Sequence, residues 1–303
     1  MDVCLAIDVG GSKMAAGLVT AQGVLLEHGR VATPRSHQAE DLFDALRSVV
    51  AEVYPPGGEG AGGKESERTM VACGIGCGGP MDLEKGTVAP LNIPGWHNFP
   101  LRQRVAALTG LPTSLDNDAK ALALAEGWVG AARDCRNFLA MVVSTGVGGG
   151  IVLDGRLVRG TTGNAGHVGH VIVEPDGRLC ACGARGCLEA EASGTAIAAI
   201  TGRPPLEAPP PVVARCGQMV GRAVASLVSS LDIELIAVAG SVALGYGAPF
   251  FAAANDELRS RACLSFTRSA SIIPAGLADR GPLVGAGAVG FDGCGRDVLV
   301  EAR

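Results

Sequence analysis

Between His167 and Glu189 the sequence sets two histidines, three cysteines and a carboxylate among glycines: His167-Val168-Gly169-His170, then Cys180-Ala181-Cys182-Gly183-Ala184-Arg185-Gly186-Cys187-Leu188-Glu189. A C-x-C-x4-C spacing with one histidine upstream supplies the nitrogen and sulfur donors that tetrahedral Zn²⁺ takes. His170, Cys180, Cys182 and Cys187 are therefore the candidate ligands. A disulfide with a spare thiol, or inert core cysteines, accounts poorly for three cysteines crowded between glycines. Four protein ligands leave no position for a reacting water, so the expected zinc is structural. It would hold a loop, and Glu189 sits on that loop.

Two glycine turns carry a second kind of chemistry. Val3 to Val9 is an apolar run containing Asp8; it meets Gly10-Gly11-Ser12-Lys13 before Met14 to Val19 resumes as a strand. Turn N–H groups in such a hairpin can face phosphate oxygens, and Asp8 can hold Mg²⁺ through water. Taken alone, the stretch reads equally as a plain Gly-Gly hairpin. About 135 residues later Phe138 to Val143 leads into Ser144-Thr145-Gly146-Val147-Gly148-Gly149-Gly150, and Ile151 to Leu153 returns. That recurrence implies a duplicated design with one phosphate hairpin per domain, and Thr145, Gly146 and Gly148 are the candidate contacts of the second. No G-x4-G-K-[ST] occurs, which excludes Walker-type chemistry. Leu115-Asp116-Asn117-Asp118 closes another strand, and Ala119 to Gly127 continues as a helix. Asn117 and Asp118 read either as a helix cap or as a substrate-hydroxyl contact and a general base. The company of two phosphate hairpins tips the reading toward the base.

The elements that must position these groups follow an α/β order. Apolar residues at 39, 42, 43, 46, 49, 50 and 53 predict a surface helix over Ala39 to Val53. Pro55 to Glu67, rich in Gly, Pro and charge, predicts a loop. Met70 to Ile75 predicts a buried strand leading into Gly76 to Asp82. In the next loop, Pro90 to Trp96, Asn92 is a hydrogen-bonding candidate for a polyol, while Trp96 is read as packing. After a Pro204 to Pro211 linker, Val212, Cys216, Val220, Val224, Leu227 and Leu231 mark one face of a long helix. Leu235 to Ala239 and Ser271 to Pro274 are the last strands.

Composition bounds the rest. A chain of 303 residues, 48% apolar with 45 glycines, suits two α/β domains with many tight turns. A net charge of −5 gives no nucleic-acid surface. No run of 18 apolar residues suggests a membrane span, and a strand-like start at Met1 suggests no signal peptide. The ten cysteines show no regular disulfide framework, so a reducing, cytoplasmic setting is expected.

Asp8-x-Gly-Gly-Ser-Lys, Asn117-Asp118-Ala119, Ser144-Thr145-Gly-x-Gly-Gly-Gly and the His170 to Glu189 cassette, in this order and at these intervals, resemble the ROK family of sugar kinases and related repressors. The resemblance spans Leu5 to about Gly290. It implies a two-domain, actin-like (hexokinase/Hsp70 class) fold with a nucleotide cleft between the lobes. The expected lobes are a small domain over 1–117, completed by a C-terminal helix at about 282–303, and a large domain over 118–281 with the zinc loop. The repressors carry a helix-turn-helix ahead of the first hairpin; no such segment fits here, so the kinase branch is expected. ATP with Mg²⁺ and a sugar are the implied partners, in a homodimer. Nucleotide contacts then fall to Asp8, Gly10, Gly11, Ser12, Lys13, Thr145, Gly146, Gly148 and Gly240. Asp118 becomes the base, and Asn117, His170 and Glu189 contact sugar hydroxyls, with Asn92 and His167 beside them.

Three departures from the family pattern matter. Family kinases read Glu-x-Gly-His where this chain has His167-Val168-Gly169-His170, which replaces an acceptor-only carboxylate by an imidazole. Lys120 stands where the family often has Asn; it either covers the surface or places a charge near the cleft. Ala239-Gly240-Ser241-Val242 replaces a more glycine-rich adenosine loop. The reading that follows is an ATP-dependent kinase of the primary (6-) hydroxyl of a hexose, either glucose or a modified amino sugar such as kanosamine. The alternatives are an N-acylhexosamine kinase (N-acetylmannosamine or N-acetylglucosamine), a C7-cyclitol kinase of specialised metabolism, and a sugar sensor without turnover, which the intact Asp118 opposes.

Overall fold

A computed structural model describes residues 1–55 and 68–301. From residue 56 onward, the loop expected over Pro55 to Glu67 lies outside the described residues. Two compact units emerge: Met1–Val129 with Arg159–Ala165 and Asp279–Arg303, and Gly130–Val158 with Gly166–Ala278.

In the first unit, β1 (Asp2–Val9), β2 (Lys13–Thr20) and β3 (Leu25–Ala32) are antiparallel neighbours. There follow α1 (Ala39–Val53), β4 (Thr69–Cys77), a ribbon of β5 (Met81–Asp82) and β6 (Thr87–Val88), α2 (Leu101–Thr109), β7 (Thr113–Asn117) and α3 (Asp118–Val129). The sheet order is β3-β2-β1-β4-β7, with β4 parallel to both β1 and β7. β1 is apolar at successive positions because both its faces are covered. Val3, Leu5, Ile7 and Val9 pack in one cluster with Leu42, Phe43, Leu46, Val49 and Val50 of α1. Alternation turns Cys4, Ala6 and Asp8 to the opposite face. There the C-terminal helix Gly281–Gly293 lies against the sheet, so close that a Cβ at Gly74 would sit 1.9 Å from Ala286 O.

The division falls after Val129, twelve residues beyond the expected boundary at Asn117, because α3 packs on the C-terminal helix and belongs with it. Lys120 departs from its surface reading altogether. It is 1% exposed, with Nζ 3.4 Å from Asp116 Oδ1 and bonded to Gly163 O. Asp116, itself 1% exposed, also takes Arg159 Nη1 at 2.9 Å and the Asn117 N–H at 2.8 Å. A buried charge pair of this kind persists only when its remaining donors and acceptors are met, as they are here.

The second unit repeats the plan. β8 (Phe138–Val143), β9 (Val147–Leu153) and β10 (Arg156–Leu157) are antiparallel. After them come α4 (Leu188–Ala192), α5 (Gly194–Thr201), α6 (Pro210–Leu231), β11 (Leu235–Ala239), α7 (Ser241–Tyr246), α8 (Ala248–Arg261) and β12 (Ser271–Pro274). The order β10-β9-β8-β11-β12 matches the first sheet strand for strand, with β11 parallel to β8 and β12. The duplication read from the two hairpins thus extends to whole sheets. α6 buries Val213, Cys216, Val220, Val224 and Val228 on one stripe, close to the predicted face. Among the described residues no helix is long and apolar enough to cross a membrane.

Candidate active site

In the first unit, strand register gathers the candidate groups at one end of the sheet. Asp8 pairs with Gly76, Gly76 with Asp116, and Cys77 with Asn117, so the ends of β1, β4 and β7 lie abreast. α3 starts directly from that row with Asp118. A Cβ at Gly76 would lie 3.7 Å from Asp118 Cα and 4.0 Å from Asp8 Oδ1, so Gly76 lies close to both acids. The β1–β2 turn is tied by Gly10 N to Lys13 O at 3.0 Å and braced by Thr33, whose hydroxyl donates to Gly10 O at 2.7 Å. Asn92 abuts the tip: a Cβ at Gly11 would sit 2.6 Å from Asn92 Cβ. Ser12 and Lys13 are exposed there.

Burial dominates the electrostatics of this corner. Desolvation, then the charge of Asp118, pushes Asp8 up to about 7, with Lys13 opposing. Asp118 is also raised by desolvation, against the pull of its bond to the Ala119 N–H. The Cys77 thiol is raised well above its ordinary range by burial and by both acids, which keeps it neutral. Asn117, just before α3, accepts the Ala119 N–H at 3.0 Å as a cap does, and Asp118, the first residue of the helix, accepts the same N–H at 2.8 Å. These bonds engage the one side-chain oxygen of Asn117 and one of the two of Asp118, so the Asn117 amide NH₂ and the second Asp118 oxygen remain for another role.

In the second unit, His170, Cys180, Cys182 and Cys187 converge, their ligand atoms all within 4.8 Å of one another. Cys180 Sγ lies 3.7 Å from His170 Nδ1, and Cys182 Sγ lies 3.7 Å from Cys187 Sγ. Zn–S bonds of about 2.3 Å span tetrahedral edges of about 3.8 Å, so the donor set fits that ion in both kind and spacing. Without a cation, desolvation and the adjacent sulfurs push Cys187 up to about 12, so a bound dication is what would let these thiols ionise together. His167 is exposed, its ring centroid 6.0 Å from that of His170.

The loop bearing these histidines rests directly on the second hairpin. Gly149 N donates to Gly166 O at 2.9 Å, and a Cβ at Gly169 would lie 2.2 Å from Val147 O. Glu189 Oε2 accepts the Val147 N–H at 2.9 Å. Thr145 is exposed at the turn, and the Gly240 backbone approaches Val143 so closely that a Cβ would sit 2.3 Å from its carbonyl oxygen.

The sequence profile of the ROK family matches residues 4–290 of this chain. The chain belongs to the ROK family. An N-acetylmannosamine kinase of Haemophilus influenzae is 36% identical over 259 residues, 80% of this chain and 82% of that one. A ROK hexokinase from Thermus thermophilus superposes with a TM-score of 0.79 at 33% identity, covering 95% of this chain and 98% of that one. A ROK glucokinase from Streptomyces griseus, solved with glucose and AMPPNP, gives a TM-score of 0.80 at 29% identity, over 96% and 99%. The two-domain, actin-like ATPase fold of these ROK kinases is the fold of this chain.

Sequence reasoning had passed over several groups in this ROK site. Thr33 braces the first hairpin. Thr195 grips the second, its hydroxyl donating to Thr145 O at 2.9 Å, and Ser241 Oγ lies 3.0 Å from Ser144 Oγ. The Ser193-Gly194-Thr195 stretch has the residue types of a helix start, and Ser193 does cap α5 by accepting the Ala196 N–H at 3.1 Å.

Asp8 gives a pH signature. Its folded pKa lies above the ordinary carboxylate range, so ionising it opposes folding, and stability falls as pH rises from about 4 through 7. Asp8→Asn, which never ionises, is expected to raise the melting temperature at pH 8, from a gain of up to about 4 kcal/mol, and to have little effect at pH 4. Equal melting shifts at the two pH values would contradict the assignment.

Proposed function

We propose that this ROK protein transfers the terminal phosphoryl group of ATP to the primary (6-) hydroxyl of a hexose, with glucose or an amino sugar such as kanosamine as acceptor. It is an enzyme, a sugar kinase that phosphorylates an alcohol group. The observation that carries the finer reading is Asp118: a desolvated carboxylate with a raised pKa, at the head of α3, beside Asp8 and one strand-end away from the first hairpin. A base shifted toward working pH accepts a hydroxyl proton more effectively than an ordinary, solvated aspartate. Asn117, partly buried beside it, can orient the same hydroxyl. Mg²⁺ bound with ATP supplies charge neutralisation at the transferring phosphate, and Asp8, whose ionisation a cation would favour, is the residue to hold it. His170, Cys180, Cys182 and Cys187 hold a structural zinc in this reading; close to one equivalent per chain is expected by elemental analysis, and less than about half in folded, unchelated protein would count against it.

A second acceptor class has its own support. The Haemophilus influenzae relative is an N-acetylmannosamine kinase, which favours an N-acylhexosamine. His167 bears on the choice, because an exposed imidazole offers a donor as well as an acceptor where family kinases have a carboxylate. Unmatched donors and acceptors discriminate strongly between related sugars.

An ADP-release assay across glucose, mannose, kanosamine, glucosamine and the N-acetyl sugars separates these readings. Turnover with an unacylated hexose is expected. Asp118→Asn should lower kcat by about 10²- to 10⁴-fold with a modest change in KM, and His167→Glu should shift preference toward glucose. Turnover only with N-acetyl sugars would replace the first acceptor class by the second. Saturable sugar binding without ADP release would sink the kinase reading.

A further inference from the structure

The stretch from Cys187 to Thr195 grips the turn of the second hairpin at three points. At one end, Glu189 Oε2 accepts the Val147 N–H at 2.9 Å. At the other, Gly194 N donates to Ser144 O at 2.7 Å, and Thr195 donates to Thr145 O through both its N–H, at 3.3 Å, and its hydroxyl, at 2.9 Å. Between these ends runs α4, whose Leu188, Glu191 and Ala192 are buried. The stretch is itself anchored upstream, where Leu188 N donates to Val171 O at 2.9 Å and Ile172 bridges to Cys187. Residues 144, 145 and 147 therefore have their backbone directions set by one short segment that begins at a candidate zinc ligand.

We propose that Glu189 is a positioning residue for the phosphate hairpin in addition to its reading as a sugar contact. The inference rests on the reading of that hairpin as a phosphate site. A carboxylate accepting a backbone N–H forms a charge-assisted bond, stronger than a neutral one. The Val147 N–H is the first donor after the turn, so fixing it fixes the orientation of Thr145 and Gly146 in front of it. Those two residues are the part of the turn left to face phosphate oxygens. Glu189 has a second oxygen for a sugar hydroxyl, so one side chain would serve the acceptor and the donor sides together.

Glu189→Ala removes the acceptor, whereas Glu189→Gln keeps it, because an amide oxygen accepts from the same N–H. With the full chain and no sugar present, Mg-ADP affinity by calorimetry is expected to weaken about tenfold in Glu189→Ala and to stay within about threefold of wild type in Glu189→Gln. Amide exchange at Val147, followed without nucleotide, should accelerate in Glu189→Ala and stay slow in Glu189→Gln. Glu189→Met, which keeps the volume without the acceptor, replaces the alanine variant if that fails to fold. Unchanged Val147 exchange in the acceptor-less variant overturns the proposal, as does unchanged Mg-ADP affinity. Should the wild type not bind Mg-ADP at all, the kinase reading fails, and exchange at Val147 still decides the role of Glu189.

Discussion

Buried Asp8 and partly buried Asp118 share one corner, and the cost of ionising both there is the constraint around which the first unit is built. Desolvation and the charge of Asp118 raise Asp8 to about 7, a penalty that folding must absorb elsewhere. The fold absorbs it through backbone order: parallel register sets β1, β4 and β7 abreast, and the C-terminal helix seals the same face of the sheet so closely that Gly74 admits no side chain. Asp116, one residue before the Asn117-Asp118 pair, is neutralised by Lys120 and Arg159. Among the described residues the candidate acids Asp8 and Asp118 form no ion pair of this kind, and Lys13 opposes the shift of Asp8. A corner that disfavours two negative charges is one that a divalent cation or a transferable proton would relieve, which is the chemistry of phosphoryl transfer to a hydroxyl.

The second unit meets a different demand with the same topology. Its hairpin is fastened by backbone contacts from Gly166 and Gly169 and by the Cys187–Thr195 stretch, so the candidate metal loop, Glu189 and the glycine-rich turn form one packed body. Val168, Val173 and Leu188 anchor the two ends of the metal loop in the core, while Asp176, Gly177, Arg178 and Leu179 between them are partly or fully exposed. There a metal held by the four converging N/S donors would supply cohesion that few packed apolar side chains provide.

Much of this was legible in the chain because the informative signals are local. The helix stripe of α1, the runs that became β8, β11 and β12, and the ligand spacing of the cysteines depend on neighbours in sequence. What was not legible depends on distant backbone. Lys120 sits at a helix start where charged residues are usually solvated; its burial follows from Gly163 and Asp116 closing over it, which no local pattern reveals. The boundary after Val129 follows likewise from the packing of α3 on a helix about 160 residues away in sequence. The second duty of Glu189 was hidden because the Val147 N–H that it accepts belongs to a turn 42 residues earlier.

The most direct test of the account is the chemistry of the product. With the best acceptor of the sugar panel and ATP, the proton-coupled ³¹P spectrum should show a new phosphomonoester split into a triplet by the two protons of a CH₂–O–P group. A doublet, from a secondary or anomeric hydroxyl, or the absence of any sugar phosphate, would contradict transfer to the primary hydroxyl.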